Sequence, residues 1–270
     1  MKKLSVGIIG LGAIGSRLVE IISKDFSKDL RIDFLCDLKK ERVEEIRRRY
    51  APRARGASWP LLVQKSDLII EAASQKIVLP IVEKSLRANK QVLVLSVGGL
   101  IVSDGLSRLV EKTKGKLWIP SGALAGVDGL LAARQGEIRE VTLTTRKPLR
   151  GLEGAPYLKE KKIELSAIKE PTLIFEGNAL EAIQAFPQNV NVAATLSLAG
   201  IGPKKTKVRV FTSPTYQLNQ HEVEIEGSFG KIRTEMRNLP SRMNPKTSEL
   251  AILSAVATIR KILSHIHIGT

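Results

Sequence analysis

Apolar and polar positions alternate in two different ways along the chain, and the change falls near residue 120. Before it, buried strands are predicted from short apolar runs at 4–9, 31–36, 66–73, 91–96 and 116–120. Between them, the spacing of apolar residues predicts amphipathic helices at 13–23, 39–50, 77–88 and 103–114. This order predicts an α/β unit with a Rossmann-type, doubly wound parallel sheet.

Beyond residue 120 apolar and polar residues alternate strictly, which is typical of strands buried on one face. Such strands are predicted at 137–147, 206–212, 221–227 and 230–238, with helices at 176–186 and 189–200. These elements predict a second, mixed α/β domain with an open sheet. A last helix is predicted over 244–263, with Asn244 as its cap and Pro245 at its first position.

The predicted domain organisation follows from these patterns. We expect a first domain over 1–120 and a catalytic, substrate-binding and dimerisation domain over 121–243. The C-terminal helical segment, 244–270, is expected to pack back on the first domain.

Composition narrows the classes of protein that fit. No apolar stretch approaches the ~20 residues of a membrane span, and the single cysteine, Cys36, excludes an internal disulfide and favours the reducing cytoplasm. The net charge of +16 is typical of some nucleic-acid binders. Basic residues are interleaved with acidic ones, however, and aromatic residues are only 4% of the chain, so we expect neither a nucleic-acid nor a membrane partner.

The glycines of "GLGAIG" follow the first strand directly and begin the first helix. The backbone N–H groups of such a turn, together with the helix dipole, can bind a pyrophosphate. Asp37 lies at the end of the second strand, where an acid can accept hydrogen bonds from a ribose. These features predict a dinucleotide site formed by Gly10, Gly12, Ala13, Ile14, Gly15 and Asp37. Asp37 favours NAD, but Lys39 and Lys40 could accept the phosphate of NADP, so both cofactors remain open.

Small residues follow three further strands, in "EAAS" (71–74), "SVGGL" (96–100) and "SGALAG" (121–126). The carboxyl ends of parallel strands share one edge of a sheet, and ligands of open α/β sheets bind at that edge. We therefore expect a crevice for the nicotinamide and its ribose, with Ala73 and Ser74 among the cofactor contacts.

A long ordered series of motifs covers nearly the whole chain: "GLGAIG", "EAASQ", "LSVGGL", "SGALAGVDGL", "LTTRKP", "FEGNALEAIQAFPQNVNVAATLSLAGIG", "HEVEIEGSFG" and "NPKTSELAILS". In this series the chain resembles the archaeal and bacterial L-aspartate dehydrogenases. The resemblance implies NAD(P)-dependent oxidative deamination of L-aspartate to iminoaspartate, which hydrolyses to oxaloacetate and ammonia or feeds NAD biosynthesis. It also implies a cytoplasmic homodimer.

The resemblance also implies roles for individual residues. The catalytic histidine of the family falls at His221, and cofactor contacts fall at Ala123 and at Asn191, with Asn189 as the alternative to Asn191. The chain departs from the family in having Gly99 where alanine is expected, and in being longer around "PRARGASW" and "GLEGAPYLKEKKIELSAIKEP". Because of these departures, the conformation of the loops near the cleft is not predicted.

The residues themselves also favour His221 as a base. Removing a hydride from an amino acid requires a group that takes the ammonium proton, and histidine exchanges protons near neutral pH. His265 and His267 follow the final helix, whereas His221 shares parity with the apolar residues of its strand. The alternative is a structural histidine at a sheet edge, whose hydrogen-bonding groups are satisfied and which has no catalytic role. No metal-ligand spacing is found, and we expect no metal.

A dicarboxylate substrate needs cationic or N–H groups to bind it. The candidates are Arg146, Lys147, Lys246, Thr247 and Ser248, the last three near the predicted start of the final helix. For each of them, a surface charge or a helix cap is the alternative interpretation.

Two alternative functions remain at this point. One is another two-domain oxidoreductase, similar to homoserine dehydrogenase or dihydrodipicolinate reductase, although the "NGT" and "PSGT"-like motifs expected of them are missing. The other is a non-catalytic regulator that senses a dinucleotide.

Overall fold

The computed structural model describes residues 3–101, 105–187, 191–241 and 244–270. The chain divides into two compact units, Met1–Pro120 with Ala255–His265, and Ser121–Ser254 with Ile266–Thr270. The predicted division assigned all of 244–270 to the first domain, whereas only Ala255–His265 belongs to the first unit. No helix among the described residues is long and apolar enough to cross a membrane.

The first unit contains a six-stranded parallel sheet. Its strands are β1 (Leu4–Ile9), β2 (Leu30–Cys36), β3 (Arg55–Gly56), β4 (Leu68–Glu71), β5 (Gln91–Val94) and β6 (Lys116–Trp118). They lie in the order β3-β2-β1-β4-β5-β6, and each neighbouring pair is parallel. This order is that of the Rossmann fold, so the predicted fold class is confirmed.

Five helices of the first unit connect these strands: α1 (Ala13–Asp25), α2 (Lys40–Tyr50), α3 (Trp59–Lys65), α4 (Gln75–Arg87) and α5 (Leu106–Glu111). Helix α1 forms because Leu18, Val19 and Ile22 recur at helical spacing, and all three side chains are buried. "SVGGL" does not extend β5 but forms a short 3-10 turn at Val97–Leu100. Residues 103 and 104 of the predicted helix 103–114 lie outside the described residues.

The second unit contains a five-stranded mixed sheet. Its strands are β7 (Ile138–Pro148), β8 (Thr172–Asn178), β9 (Lys207–Ser213), β10 (Asn219–Gly227) and β11 (Gly230–Asn238). The order is β11-β10-β7-β9-β8, with β7 and β9 parallel and the other pairs antiparallel. The predicted mixed α/β domain is therefore confirmed.

The remaining elements of the second unit are mostly helical. They are α6 (Val127–Ala133), α7 (Leu149–Leu152), α8 (Pro156–Glu160), α9 (Ala179–Ala185), α10 (Asn191–Ala199) and the short strands β12 (Pro240–Ser241) and β13 (Asn244–Ser248). The last helix, α11 (Glu249–Leu263), begins in the second unit and belongs to the first unit from Ala255 onward.

The two faces of this sheet differ because side chains alternate along each strand. One face buries Val141 and Leu143 of β7 against Val223 and Ile225 of β10. The opposite face carries ion pairs between neighbouring strands, such as Arg233 with Glu222 at 2.9 Å. The buried face is apolar at one end of β7 and β10, and its other end is polar.

Two predicted helices are wrong at their starts. The helix predicted over 176–186 begins at Ala179, because Glu176–Asn178 belong to β8, a strand that the prediction missed. Asn178 caps α9 by accepting a hydrogen bond from the Glu181 N–H at 3.0 Å. The bulge between Leu173 and Phe175 breaks the alternation by which β8 could have been recognised.

The last helix begins at Glu249, not at residue 244. Residues Asn244–Ser248 form β13, which pairs with β12 in a two-stranded ribbon. Pro245 is therefore a strand residue in a ribbon to which the described part of the chain adds no third strand, and a missing N–H is tolerated there. The Glu249 N–H donates to the Leu239 carbonyl at 3.0 Å, so the first helical residue is bound to the residue that directly precedes β12.

Candidate active site

The glycine turn of the first unit requires glycine at two positions. Gly10 has φ +88°, and a Cβ there would lie 2.5 Å from both the carbonyl oxygen of Ala72 and the Cα of Ala73. At Gly15 a Cβ would collide with the carbonyl of Gly10. The turn and the loop after β4 are therefore packed backbone against backbone.

Gly12 differs from its two neighbours because a Cβ there would meet nothing within 4 Å. None of the described side chains caps the N-terminus of α1, and Ala13 and Ile14 in its first turn are half-buried. The first N–H groups of α1 thus stand beside open space lined by small residues. This arrangement fits the pyrophosphate of a dinucleotide, which needs close backbone approach and N–H donors.

Both carboxylate oxygens of Asp37 accept hydrogen bonds from backbone N–H groups. Its Oδ2 accepts from the Leu11 N–H at 2.7 Å, and its Oδ1 accepts from the Lys39 N–H at 3.0 Å. A carboxylate has about four lone-pair sites, so both oxygens can still accept from a ribose. Arg42, which the sequence analysis missed, also binds this turn, through Nε to the Leu11 carbonyl at 3.0 Å.

Glu71 joins two of the strand-end loops. Its side chain is fully buried; one oxygen accepts from the Ala73 N–H at 2.8 Å and the other from the Ser96 N–H at 3.1 Å. Burial raises the pKa of this carboxyl, and the two N–H groups partly oppose that effect. Ala73 and Ser74, the predicted cofactor contacts, remain exposed on the loop that Glu71 fixes.

The polar end of the second unit's sheet holds His221. His221 is 3% exposed, and its Nδ1 lies 3.1 Å from the hydroxyl of Thr145, which is directly opposite on β7. Burial and the nearby charge of Lys147 lower the pKa of His221 to about 3. The imidazole is therefore neutral at physiological pH.

Lys147 lies two residues further along β7 on the same face. Its side chain is 4% exposed, and Nζ donates to Asn219 Oδ1 at 3.3 Å. Burial lowers the pKa of Lys147 to about 8. Thr145 and Asn219 were not predicted from the sequence, although Thr145 shares parity with Lys147 on β7 and Asn219 shares parity with His221 on β10.

The residues predicted to bind the substrate's carboxylates do not all lie on one face, because side chains alternate along a strand. Arg146 points to the opposite face from Lys147, where its guanidinium pairs with Glu222 at 3.0 Å. Arg146 therefore does not join Lys147 and His221. Thr247 is half-buried and Ser248 buried in β13, immediately before α11. The side chain of Lys246 lies outside the described residues.

The two contacts implied by resemblance lie in the second unit. Ala123 is buried, and its carbonyl accepts from Asn238 Nδ2 at 3.2 Å. Asn238 stands opposite Asn219 in the pairing of β10 with β11, so Ala123 is tied to the polar end of the sheet. Asn191 is the exposed first residue of α10, and Asn189 lies outside the described residues.

Fold and site together define the class as a two-domain NAD(P)-dependent dehydrogenase. Residues 10–117 match the family model described as the NAD binding domain of homoserine dehydrogenase, and residues 128–262 match that of the aspartate dehydrogenase C-terminal domain. The chain belongs to the aspartate dehydrogenase family. Among the described residues, no group of His, Cys, Asp and Glu could hold a metal ion.

Relatives and a solved structure agree with this assignment. L-aspartate dehydrogenase of Methanosarcina barkeri is 49% identical over 99% of this chain and 100% of its own, and that of Methanocella arvoryzae is 38% identical over 98% and 99%. The crystal structure of aspartate dehydrogenase from Thermotoga maritima, 24% identical, covers 99% of this chain and 100% of its own with a TM-score of 0.78. That likeness shows the shared fold.

Proposed function

We propose that this protein oxidises L-aspartate with NAD or NADP to iminoaspartate, which water then converts to oxaloacetate and ammonia. The observation that carries the proposal is the buried pair of His221, a neutral imidazole, and Lys147, an ammonium, on one sheet face of a chain from this family. When bound, the nicotinamide supplies the acceptor for the hydride from the substrate Cα.

His221 takes the proton of the substrate ammonium in this proposal. Its Nδ1 is engaged by the Thr145 hydroxyl, so Nε2 is the nitrogen that exchanges the proton. Thr145 is a positioning residue, since its hydroxyl fixes the plane of the imidazole. The hydroxyl serves either tautomer, as it can donate to Nδ1 or accept from it.

Lys147 binds a carboxylate of the substrate. Its ammonium is buried with a neutral amide as its hydrogen-bond acceptor, and an anion would complete the site. Asn219 then orients Nζ. Thr247 and Ser248 remain proposed donors to the second carboxylate, and the roles of Arg146 and Lys246 remain predictions, with Arg146 facing away from Lys147.

The cofactor is held, we propose, by Gly10, Gly12, Ala13, Ile14, Gly15, Asp37, Ala73 and Ser74, with Ala123 and Asn191 from the second unit's sequence. Asp37 accepts from the ribose hydroxyls, which favours NAD. Lys39 and Lys40 next to it leave NADP as a second cofactor.

A substrate panel tests this function. L-aspartate, homoserine, glutamate and alanine are each supplied with NAD or NADP, and reduced nicotinamide is followed by absorbance. We expect turnover of L-aspartate well above the others. Turnover of homoserine instead would support the second candidate, homoserine dehydrogenase, which the match of residues 10–117 favours. Dinucleotide binding without turnover of any substrate would support a sensor.

The cellular setting is also a proposal. The single cysteine favours the reducing cytoplasm, and the family resemblance supports a homodimer that supplies iminoaspartate to NAD biosynthesis. Light scattering of the purified protein tests the dimer, because a monomeric mass at micromolar concentration would contradict it.

A further inference from the structure

His221 and Lys147 lie close together on one buried face. Thr145, which contacts the imidazole, and Lys147 are separated by one residue of β7, so their side chains point the same way. On β11 the same face carries Met236 and Asn238, which are uncharged, and α7 contributes only Arg150, which is exposed. Of the described residues, Lys147 is the charged group that acts on His221.

The ammonium of Lys147 is buried without a counter-ion among the residues that the structure describes. Within the described part of the chain it donates to the neutral Asn219 amide, and burial disfavours its charge. A buried charge is costly unless an opposite charge pairs with it. The site is thus built to receive an anion beside His221.

We propose that the substrate itself activates the base: its carboxylate pairs with Lys147 and so allows His221 to accept the ammonium proton. This inference rests on the proposed function and deepens it. Before binding, burial first and the lysine charge second keep the imidazole a very weak base. An anion at Lys147 offsets the repulsion that a protonated imidazole would meet.

The proton step balances within the site. The N–H bond of the substrate ammonium breaks, its electron pair stays on nitrogen, and the proton binds Nε2 of His221. The resulting imidazolium and the lysine ammonium are then two positive charges, and the bound carboxylate lies beside them and offsets one of the two. Without the carboxylate, two like charges would share one buried face.

Imidazole NMR tests the inference without the cofactor or turnover. The protein carries H265Q and H267Q, which replace the two exposed histidines at the C-terminus, so that the ¹⁵N signals report His221 alone. Succinate serves as the probe, because it has two carboxylates and no amine. Succinate is kept at saturation at every pH, so that the carboxylate bound to the Lys147 ammonium stays ionised, and we then expect the pKa of His221 to rise by about 1 unit or more.

Lys147→Met in the same background is the control. This variant keeps an unbranched apolar stem, and we expect its His221 pKa to be already raised and unresponsive to succinate. An equal shift in both proteins, or bound succinate without a shift, overturns the inference. So does a failure of succinate to bind, because Lys147 then receives no carboxylate. L-aspartate turnover in any of these cases would leave the proposed function standing.

Discussion

The two units build their sites from different parts of the chain. In the first, backbone N–H groups and small residues around Gly10, Gly12 and Gly15 form the cradle, and Asp37 and Glu71 are held by backbone N–H groups. In the second, the proposed chemistry depends on side chains, and strand pairing places Thr145 beside His221 and Asn219 beside Lys147. The first site therefore depends on local sequence, whereas the second depends on which strands are neighbours.

The largest effect is expected at the side-chain site. His221→Ala removes the proposed base and should lower kcat by about 10²–10⁴-fold. The Kd for NAD should stay within a few-fold, because His221 has no part in the glycine turn. Steady-state rates and fluorescence titration of the cofactor measure the two effects, and His265→Ala is the matched control. Unchanged turnover would reject His221 as the base.

A pair of glycine variants tests the backbone site. Gly10→Ala places a methyl group against the Ala72 and Ala73 backbone at a positive φ, so the free energy of unfolding should fall by about 2–4 kcal/mol. Gly12→Ala meets open space, so its stability should change little while its Kd for NAD rises. Denaturant unfolding and NAD titration compare the two. Equal loss of stability would contradict the difference between packed and open glycines.

Glu71→Gln tests how far the cradle depends on one buried side chain. Each carboxylate oxygen of Glu71 accepts from a backbone N–H, and the substitution replaces one of these oxygens with an NH₂ group that faces the N–H. This loss should lower the free energy of unfolding by about 1–3 kcal/mol. NAD binding should weaken as the loops after β4 and β5 loosen. Glu111→Gln, at an exposed position of the same unit, is the control and should behave as the parent. Identical unfolding curves for both variants would remove this role.

The smallest effect concerns cofactor choice. Asp37→Ala removes the ribose acceptor and should reduce the preference for NAD over NADP by about 10-fold. The ratio of kcat/KM for the two cofactors measures it, with Asp29→Ala as an exposed control. A ratio that does not change would exclude Asp37 from the ribose site.

The sequence allowed the first unit to be predicted in more detail than the second. The spacing of the glycines and the short apolar runs reflect local backbone conformation, so β1, α1 and the position of Asp37 could be predicted from the sequence. Strand β8 was missed because a bulge disturbs its alternation, and the start of α11 was wrong because Asn244 and Pro245 imitate a helix cap while pairing with β12. The alternation of apolar and polar residues along the strand correctly predicted that His221 lies on the buried face.

Partners across strands were beyond the reach of the sequence. Thr145 and Asn219 contact His221 and Lys147 only because β7 and β10 are neighbours in a particular register. Arg146 and Lys147 are adjacent in sequence yet lie on opposite faces, so the pair could not act as one anchor. Glu71 was passed over because its role depends on an N–H from another loop.

The central claim is that the polar end of the second sheet binds the substrate's carboxylate, and L-aspartate saturation kinetics of Lys147→Met test it most directly. Lys207→Met is the control, since Lys207 lies on adjacent β9 but is largely exposed and paired with Glu140. We predict that kcat/KM for L-aspartate falls about 100-fold in Lys147→Met and within about 2-fold in Lys207→Met. Similar kcat/KM values for the two variants, with intact folding of both, would contradict the claim.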